Sequence, residues 1–236
     1  MIDPALVVRD APPLDHETTD HKVRLEDGRV TVSMKAHHAT EQEARASVAS
    51  FFRSWELDQA LRHGGRRLIG FKFKDTRTVD LDTGTVLKRV AHWSSMPFEA
   101  RAGTITRSGY PPPPVDFVAS PNVETLWNRY ERYVEGREPL AGMAYACFTF
   151  IIKVVYNGRT DASKTLNISD PVLKELGRLA GAKGERKYPT AGPYSGHEKA
   201  WLEAAIRLLI RRVGAQAAGA PALRQITMTD PDLPKV

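Results

Sequence analysis

Arg186 and His197 are the two residues whose types and spacing come closest to a catalytic pair. They lie on either side of a stretch that contains Gly and Pro, and His197 is predicted to be the second residue of the last helix. An arginine can hold a phosphate while a histidine exchanges protons, which is the chemistry of RNA cleavage. The alternative is a surface loop followed by an ordinary helix start. We favour this alternative, because a lone histidine serves many roles, and we assign no catalytic residue.

Basic residues form the second candidate site. Residues 171–212 contain nine Lys and Arg against four Asp and Glu. A basic helix face can follow a phosphate backbone, with counterions released as each phosphate is contacted. The alternative is a solvated face whose late arginines interact favourably with the helix dipole. The predicted nucleic-acid-binding residues are Arg186, Lys187, Lys199, Arg207, Arg211 and Arg212.

Motifs for cofactors, metals and nucleophilic catalysis are missing from the sequence. It contains no G-x-G-x-x-G, Walker A, H-E-x-x-H or G-x-S-x-G pattern. The segment DHETTDH, residues 15–21, is predicted to be a loop, and its Asp and His spacing matches no closed metal site. His37 and His38 would point to opposite faces of a strand, and the single cysteine, Cys147, excludes a multi-cysteine zinc site. We predict no metal and no cofactor.

Composition and charge bound the class of protein. The 236 residues are 42% hydrophobic and carry a net charge of +6, of which residues 1–119 hold +1 and residues 120–236 hold +5. The longest apolar run, residues 140–155, is shorter than the roughly 20 residues of a membrane span and predicts a buried helix. The first residues lack the apolar stretch of a signal peptide. We expect a soluble, cytoplasmic protein with no membrane partner.

The first half of the chain alternates between strand and helix patterns. Asp27-Gly28 predicts a tight hairpin turn, and Thr40 with Glu43 predicts a capped helix that ends at Gly64-Gly65. In GFKF, residues 70–73, the phenylalanines alternate with lysines and share a face with Ile69, so they are predicted to be core residues rather than a surface that stacks on bases. A second hairpin is predicted around residues 82–84, with one further strand near residues 104–107.

A run of four prolines, residues 111–114, separates this half from a helical second half. We predict an α+β domain over residues 1–110, a Pro-rich linker over 111–119, a helical bundle over 120–217 and a poorly ordered tail over 218–236. Helix starts are predicted at Ser120-Pro121, at Asp170-Pro171 and at Ser195, where Glu198 completes a capping box. The fold class is α+β: a small antiparallel sheet with one helix, joined to an α-helical bundle.

Parts of the chain resemble known bacterial sequences. The segments SGYPPPPVDF, VEGREPLAGMAYACFTF, NISDPVLKELGRL and HEKAWLEAAIRLLIRRV are similar to a set that recurs in an uncharacterised bacterial protein family. The long helices with a late arginine and histidine resemble HEPN-type helical domains. That resemblance implies a dimer that cleaves RNA or acts in defence. In those domains the histidine follows the arginine more closely than here, where ten residues separate Arg186 from His197.

The predicted function is binding without catalysis. The partner is either nucleic acid, contacted by the basic C-terminal helix, or another protein. Two alternatives remain open: an HEPN-like ribonuclease that uses Arg186 and His197, and a scaffold that forms a homodimer through the second half of the chain.

Overall fold

The computed structural model describes residues 6–8, 11–75, 78–79, 86–87, 92–95, 105–107, 109–182, 193–221 and 223–235. The chain divides into two units. Unit 1 comprises residues 1–60 and 67–114, and unit 2 comprises residues 61–66 and 115–236. Unit 1 contains the strands and most of one helix, and unit 2 is helical, so the predicted α+β class is confirmed.

Each strand and helix is named here in chain order with its bounds. The strands of the described residues are β1 (Leu6–Val8), β2 (Leu14–Glu17), β3 (His21–Glu26), β4 (Arg29–Met34), β5 (Phe71–Asp75), β6 (Thr78–Val79), β7 (Val86–Leu87), β8 (His92–Ser95) and β9 (Ile105–Arg107). The helices are α1 (Glu41–Arg62), α2 (Pro121–Val134), α3 (Leu140–Phe150), α4 (Arg159–Leu166), α5 (Asp170–Ala182) and α6 (Gly196–Ala217), and a π-helix over Ile151–Val155 extends α3.

An antiparallel sheet in the order β2-β3-β4-β8-β5 forms the body of unit 1. The predicted β3–β4 hairpin is confirmed: Asp27 and Gly28 have φ values of 50° and 68°, the left-handed conformations that a type I′ turn requires. The predicted pairing around residues 82–84 is present as β6 and β7, while the turn between them lies outside the described residues. Two parallel strands, β1 and β9, pair separately.

The expectation of a loop over residues 15–21 is wrong, because β2 pairs with β3 through Glu17. Alternate side chains of β2 are half-buried, Leu14 and His16, while Asp15 and Glu17 are exposed. Asp15 lies 3.2 Å from Arg24 of β3 in an ion pair across the two strands. Charged residues on the exposed face hid the alternation that marks a strand.

Helix α1 packs its apolar side on the sheet. Its start is capped as predicted, since the Glu43 amide donates to Thr40 Oγ1 at 3.2 Å and the Glu43 carboxylate accepts from the Ala39 amide at 3.1 Å. The Phe71 ring lies 4.6 Å from that of Phe52 and 4.9 Å from that of Trp55, so the GFKF segment does contribute to the core. The buried residues of this core are Val23, Leu25, Val30, Val48, Phe52 and Trp55.

Helix α6 is the central helix of unit 2. The capping box at its start is present as predicted, with the Glu198 amide donating to Ser195 Oγ at 3.1 Å and the Ser195 amide to the Glu198 carboxylate at 2.8 Å. Its buried residues are Trp201, Leu202, Ala204, Ala205, Ile206, Leu209, Ile210, Val213, Gly214 and Ala215. These positions cover most of the circumference of α6.

The segment after α6, which the sequence places in a tail, is bound to the junction between α4 and α5. The Ile226 amide donates to the Asn167 carbonyl at 3.0 Å, and the Ser169 amide donates to the Ile226 carbonyl at 2.9 Å. Ile226 and Leu233 are buried. Residues 223–235 therefore form a wall of unit 2.

Among the described residues, no single helix is long and apolar enough to cross a membrane. The ranges Leu140–Val155 and Arg159–Leu166 reach that length and composition only as a pair, across a bend of 89°.

Gly214 gives a test of packing around α6. A Cβ at this position would lie 2.2 Å from the Phe117 ring, whereas at Gly181 in α5 it would meet nothing within 4 Å. We expect Gly214→Ala to lower the free energy of unfolding by about 1–3 kcal/mol through overpacking. Gly181→Ala should leave it unchanged or raise it by up to about 1 kcal/mol. Urea unfolding of both variants checks this, and equal effects would contradict the packing.

His21 should make stability depend on pH. It is buried, its ring lies 5.0 Å from that of Phe51, and neither ring nitrogen has a hydrogen-bond partner among the described residues. Burial lowers its pKa, opposed by Asp20, while His16 and Lys35 lower it further.

The unfolded chain therefore takes up this proton before the folded chain does. The contribution of neutral His21 to the free energy of unfolding is complete above about pH 6.5, the pKa of histidine in an unfolded chain. It decreases as the pH falls below that value. We expect His21→Phe to reduce the loss of unfolding free energy between pH 7.5 and pH 5.5, whereas His37→Phe, at an exposed position, should not. An unchanged pH profile in His21→Phe would show that His21 does not titrate as described.

Candidate functional site

The predicted residues of α6, the catalytic candidate His197 and four binding residues, occupy two separate ends of the helix. His197 and Lys199 are exposed in its first turn, and Arg207, Arg211 and Arg212 lie in its second half. Twelve residues separate Lys199 from Arg211, which is about 18 Å along the axis. The structure brings Arg211 and Arg212 together, places Arg207 against Tyr130, and leaves His197 and Lys199 apart from them.

Arg186 and Lys187, the remaining predicted residues, lie outside the described residues. The distance between Arg186 and His197 is therefore not described by the structure either. His197 is the second residue of α6, as predicted.

Arg207 faces a tyrosine pair. Its Nη1 donates to Tyr130 Oη at 3.0 Å, and Tyr130 Oη donates to the Gly64 carbonyl at 3.4 Å. The neighbouring Tyr133 hydroxyl donates to the Glu203 carboxylate. Burial raises the pKa of both tyrosines, and the hydrogen bond to Glu203 raises that of Tyr133 further. Both phenols stay protonated at neutral pH, and the hydrogen bonds of this network join α2 to α6.

Arg211 and Arg212 line a cavity of about 180 Å³ between α6 and the segment 223–232. Its charged lining residues are Arg211, Arg212, Arg224, Asp116, Asp230 and Asp232. Its apolar lining residues are Phe117, Leu208, Ala215, Leu223 and Ile226. We call this the arginine cavity. It exceeds the roughly 10–15 Å³ that one water needs and is smaller than the roughly 300–1,000 Å³ of most ligand pockets, so it has room for one group of a larger ligand.

A buried carboxylate holds the outer wall of the arginine cavity. Asp230 is 2% exposed, its Oδ1 accepts from the Asp232 amide at 3.0 Å, and its Oδ2 lies 2.8 Å from Arg224 Nη2. The Arg212 guanidinium donates to the Arg224 carbonyl. Burial lowers the pKa of Arg212, while Asp230 acts in the opposite direction. Arg212 and Asp230 thereby fix Arg224 beside α6.

A fourth arginine approaches from the end of α1. Arg62 Nη2 lies 3.9 Å from Asp116 Oδ1, and Asp116 lines the arginine cavity. Its side chain is 41% exposed and that of Arg224 is 61% exposed, so both present charge to solvent. With Arg62 included, four arginines stand against three aspartates. We call Arg62, Arg211, Arg212 and Arg224 the arginine cluster.

The net charge of the chain belongs entirely to unit 2. Unit 2 has 19 Lys and Arg against 13 Asp and Glu, which is +6, whereas unit 1 has 15 of each. The arginine cluster lies in the unit that carries this excess.

Metal and thiol chemistry find little support in the described part of the chain. No group of three or more His, Cys, Asp or Glu side chains within it is placed to hold a metal ion. Cys147 is fully buried in α3, and burial raises the pKa of its thiol to about 12. A thiol of this kind is protonated and unreactive at neutral pH.

No family model matches the chain, and no curated protein or solved structure matches it significantly. A function must therefore be argued from the residues described above.

Asp230 tests how the wall of the arginine cavity is held. Asp230→Ala removes the buried carboxylate from Arg224 and from the Asp232 amide. We expect it to lower the free energy of unfolding by about 2 kcal/mol. Asp232→Ala, at an exposed position two residues later, should change it by less than about 0.5 kcal/mol. Thermal and urea unfolding measure both values, and a neutral Asp230→Ala would mean that the wall is held by Ile226 and Leu233 alone.

Proposed function

We propose that this protein is a non-catalytic binding module of the bacterial cytoplasm that contacts nucleic acid through the arginine cluster of unit 2. The proposal rests on arginines from separate segments of unit 2 that lie close together. Arg211, Arg212 and Arg224 come from two separate segments and line one cavity, and Arg62 from a third segment lies 3.9 Å from Asp116, which lines the same cavity. They lie in the unit that holds the whole net charge of the chain.

Arginine suits this role because its planar guanidinium donates several hydrogen bonds in the geometry of a phosphate. Arg62 and Arg224 have the exposure that a backbone phosphate needs in order to reach them. The half-buried Arg211 and Arg212 lie deeper, where a phosphate contact is screened less by salt.

The aspartates around the cluster have a role in the free protein. Four guanidinium groups in one place repel each other, and this cost rises where they are partly buried. Asp116 and Asp230 offset the repulsion and orient Arg62 and Arg224 before any ligand arrives. A preordered cluster loses less side-chain entropy when it binds.

Salt-dependent binding tests the proposal. Labelled single- and double-stranded RNA and DNA of mixed sequence are titrated at about 50 mM and 200 mM salt. We expect affinity that falls steeply with salt and varies little with sequence. Arg62→Gln and Arg211→Gln should each reduce the slope of log affinity against log salt by about 1.

The matched control is Arg178→Gln, which removes the same charge from α5. Arg178 lies 4.0 Å from Glu198, and Glu198 precedes Arg211 by thirteen residues, about 20 Å along α6. Its side chain is 52% exposed and pairs with Glu175, so the fold should tolerate the change. Equal losses in all three variants, or no binding by the wild-type chain, would refute the proposed function.

A further inference from the structure

Exposed apolar side chains border the arginine cluster. The large hydrophobic side chains that are exposed among the described residues are Val115, Val118, Val134, Val154 and Met228. Three of these five, Val115, Val118 and Met228, belong to the two segments outside α6 that line the arginine cavity. Val115 is 88% exposed. Phosphates are contacted by charged and polar groups, so this apolar border fits a ligand that presents more than phosphates.

Val115 is held beside Arg62. The next residue, Asp116, lies 3.9 Å from Arg62 Nη2, and the Val118 amide donates to the Gly214 carbonyl of α6 at 3.1 Å. Contacts within unit 2 therefore fix this short segment on either side of its bend. An apolar side chain on a fixed segment loses little conformational entropy when a ligand covers it.

Met228 is held beside Arg224. It lies in a turn in which the Asp230 amide donates to the Thr227 carbonyl at 3.0 Å, and Asp230 Oδ2 lies 2.8 Å from Arg224 Nη2. The Arg224 side chain is 61% exposed. The hydrogen bonds of a guanidinium lie in its plane, so Asp230 takes an edge of Arg224 and does not cover its faces. A guanidinium face is a surface on which an unpaired base can stack.

We infer that the arginine cluster and its apolar border bind single-stranded nucleic acid, with unpaired bases lying against Arg224, Met228 and Val115. This inference rests on the proposed function. Phosphates are accessible on a duplex and on a single strand alike, whereas the faces of the bases can be contacted only where the strand is unpaired. Guanidinium planes and apolar side chains are the groups that pack on those faces.

The aspartates favour contact with bases in addition to phosphates. The arginine cavity is lined by three arginines and three aspartates. A carboxylate beside an arginine reduces the electrostatic gain from a phosphate, but it does not reduce the packing of a base on a guanidinium face or on an apolar side chain. Such packing releases no counterion, so it does not weaken as salt is raised. Binding should therefore combine a part that depends on salt with a part that does not.

The experiment compares three forms of one DNA strand of mixed sequence, with the full chain at constant ionic strength. One form is single-stranded, one is annealed to its complement, and one has central nucleotides that lack bases but keep their phosphates. We expect the intact single strand to bind about tenfold more tightly than the duplex, and the abasic strand to lose most of this advantage. The corresponding RNA strand and RNA duplex are compared in the same way.

Val115→Ser and Met228→Ser should each weaken binding of the single strand about threefold. Neither substitution removes a charge, so the slope of log affinity against log salt should stay at its wild-type value. The matched control is Val134→Ser. Val134 is 40% exposed at the end of α2, which begins three residues after Val118 and is about 20 Å long. This variant should bind as the wild-type chain does, and circular dichroism confirms that all three variants are folded.

The outcomes separate the inference from the proposed function. Equal affinity for the single strand and the duplex, or tighter binding of the duplex, would overturn the inference and leave the proposed function in place. Wild-type affinity in both Val115→Ser and Met228→Ser, an equal loss in Val134→Ser, or an abasic strand that binds as tightly as the intact one would also overturn it. No binding to any nucleic acid would overturn both.

Discussion

The burial of α6 on most of its circumference is the constraint on which unit 2 depends. Ten of its residues are buried, among them Trp201, Ile206 and Ile210. Arg211 and Arg212 extend from adjacent positions of this helix and both line the arginine cavity, whereas Arg207, one turn earlier, contacts Tyr130. The segment 223–232 forms the opposite side of this half-open cavity. The same helix therefore supplies both a large part of the core of unit 2 and two arginines of the candidate site.

The three arginines in the second half of α6 differ in what they do. Arg207 is tied to Tyr130, and through it to the Gly64 carbonyl, so its charge serves the packing of α2 against α6. Arg211 and Arg212 line a cavity instead. Counting basic residues along a helix treats these three alike, although their surroundings give them different roles.

Features set by neighbouring residues were the ones that the sequence predicted well. The Asp27-Gly28 turn and the helix caps at Thr40 and Ser195 depend on the conformations and hydrogen bonds of a few adjacent residues. Strand β2 was missed because three of its four residues are polar, so its alternation does not show in the sequence. Helix α4 was missed because its eight residues show little apolar periodicity.

The candidate site was predictable only in part, because it is assembled by tertiary structure. The α6 arginines could be identified from their helical spacing. Arg62 and Arg224 join them from positions far apart in the chain, and no local pattern links those positions. The packing of the tail was missed for the same reason, since Ile226 and Asp230 look like isolated residues in a polar stretch and are buried only by contacts with α4, α5 and α6.

The most direct test of the central claim is to observe the arginine side chains during binding. Nitrogen-15 NMR of the arginine Nε groups, assigned by single Arg→Lys substitutions, can be followed while a single-stranded oligonucleotide is added. We expect the Arg62, Arg211, Arg212 and Arg224 signals to shift together and to saturate at one concentration, while the Arg178 signal does not move. Shifts centred on other arginines, or an unchanged arginine cluster in a complex that forms, would contradict it.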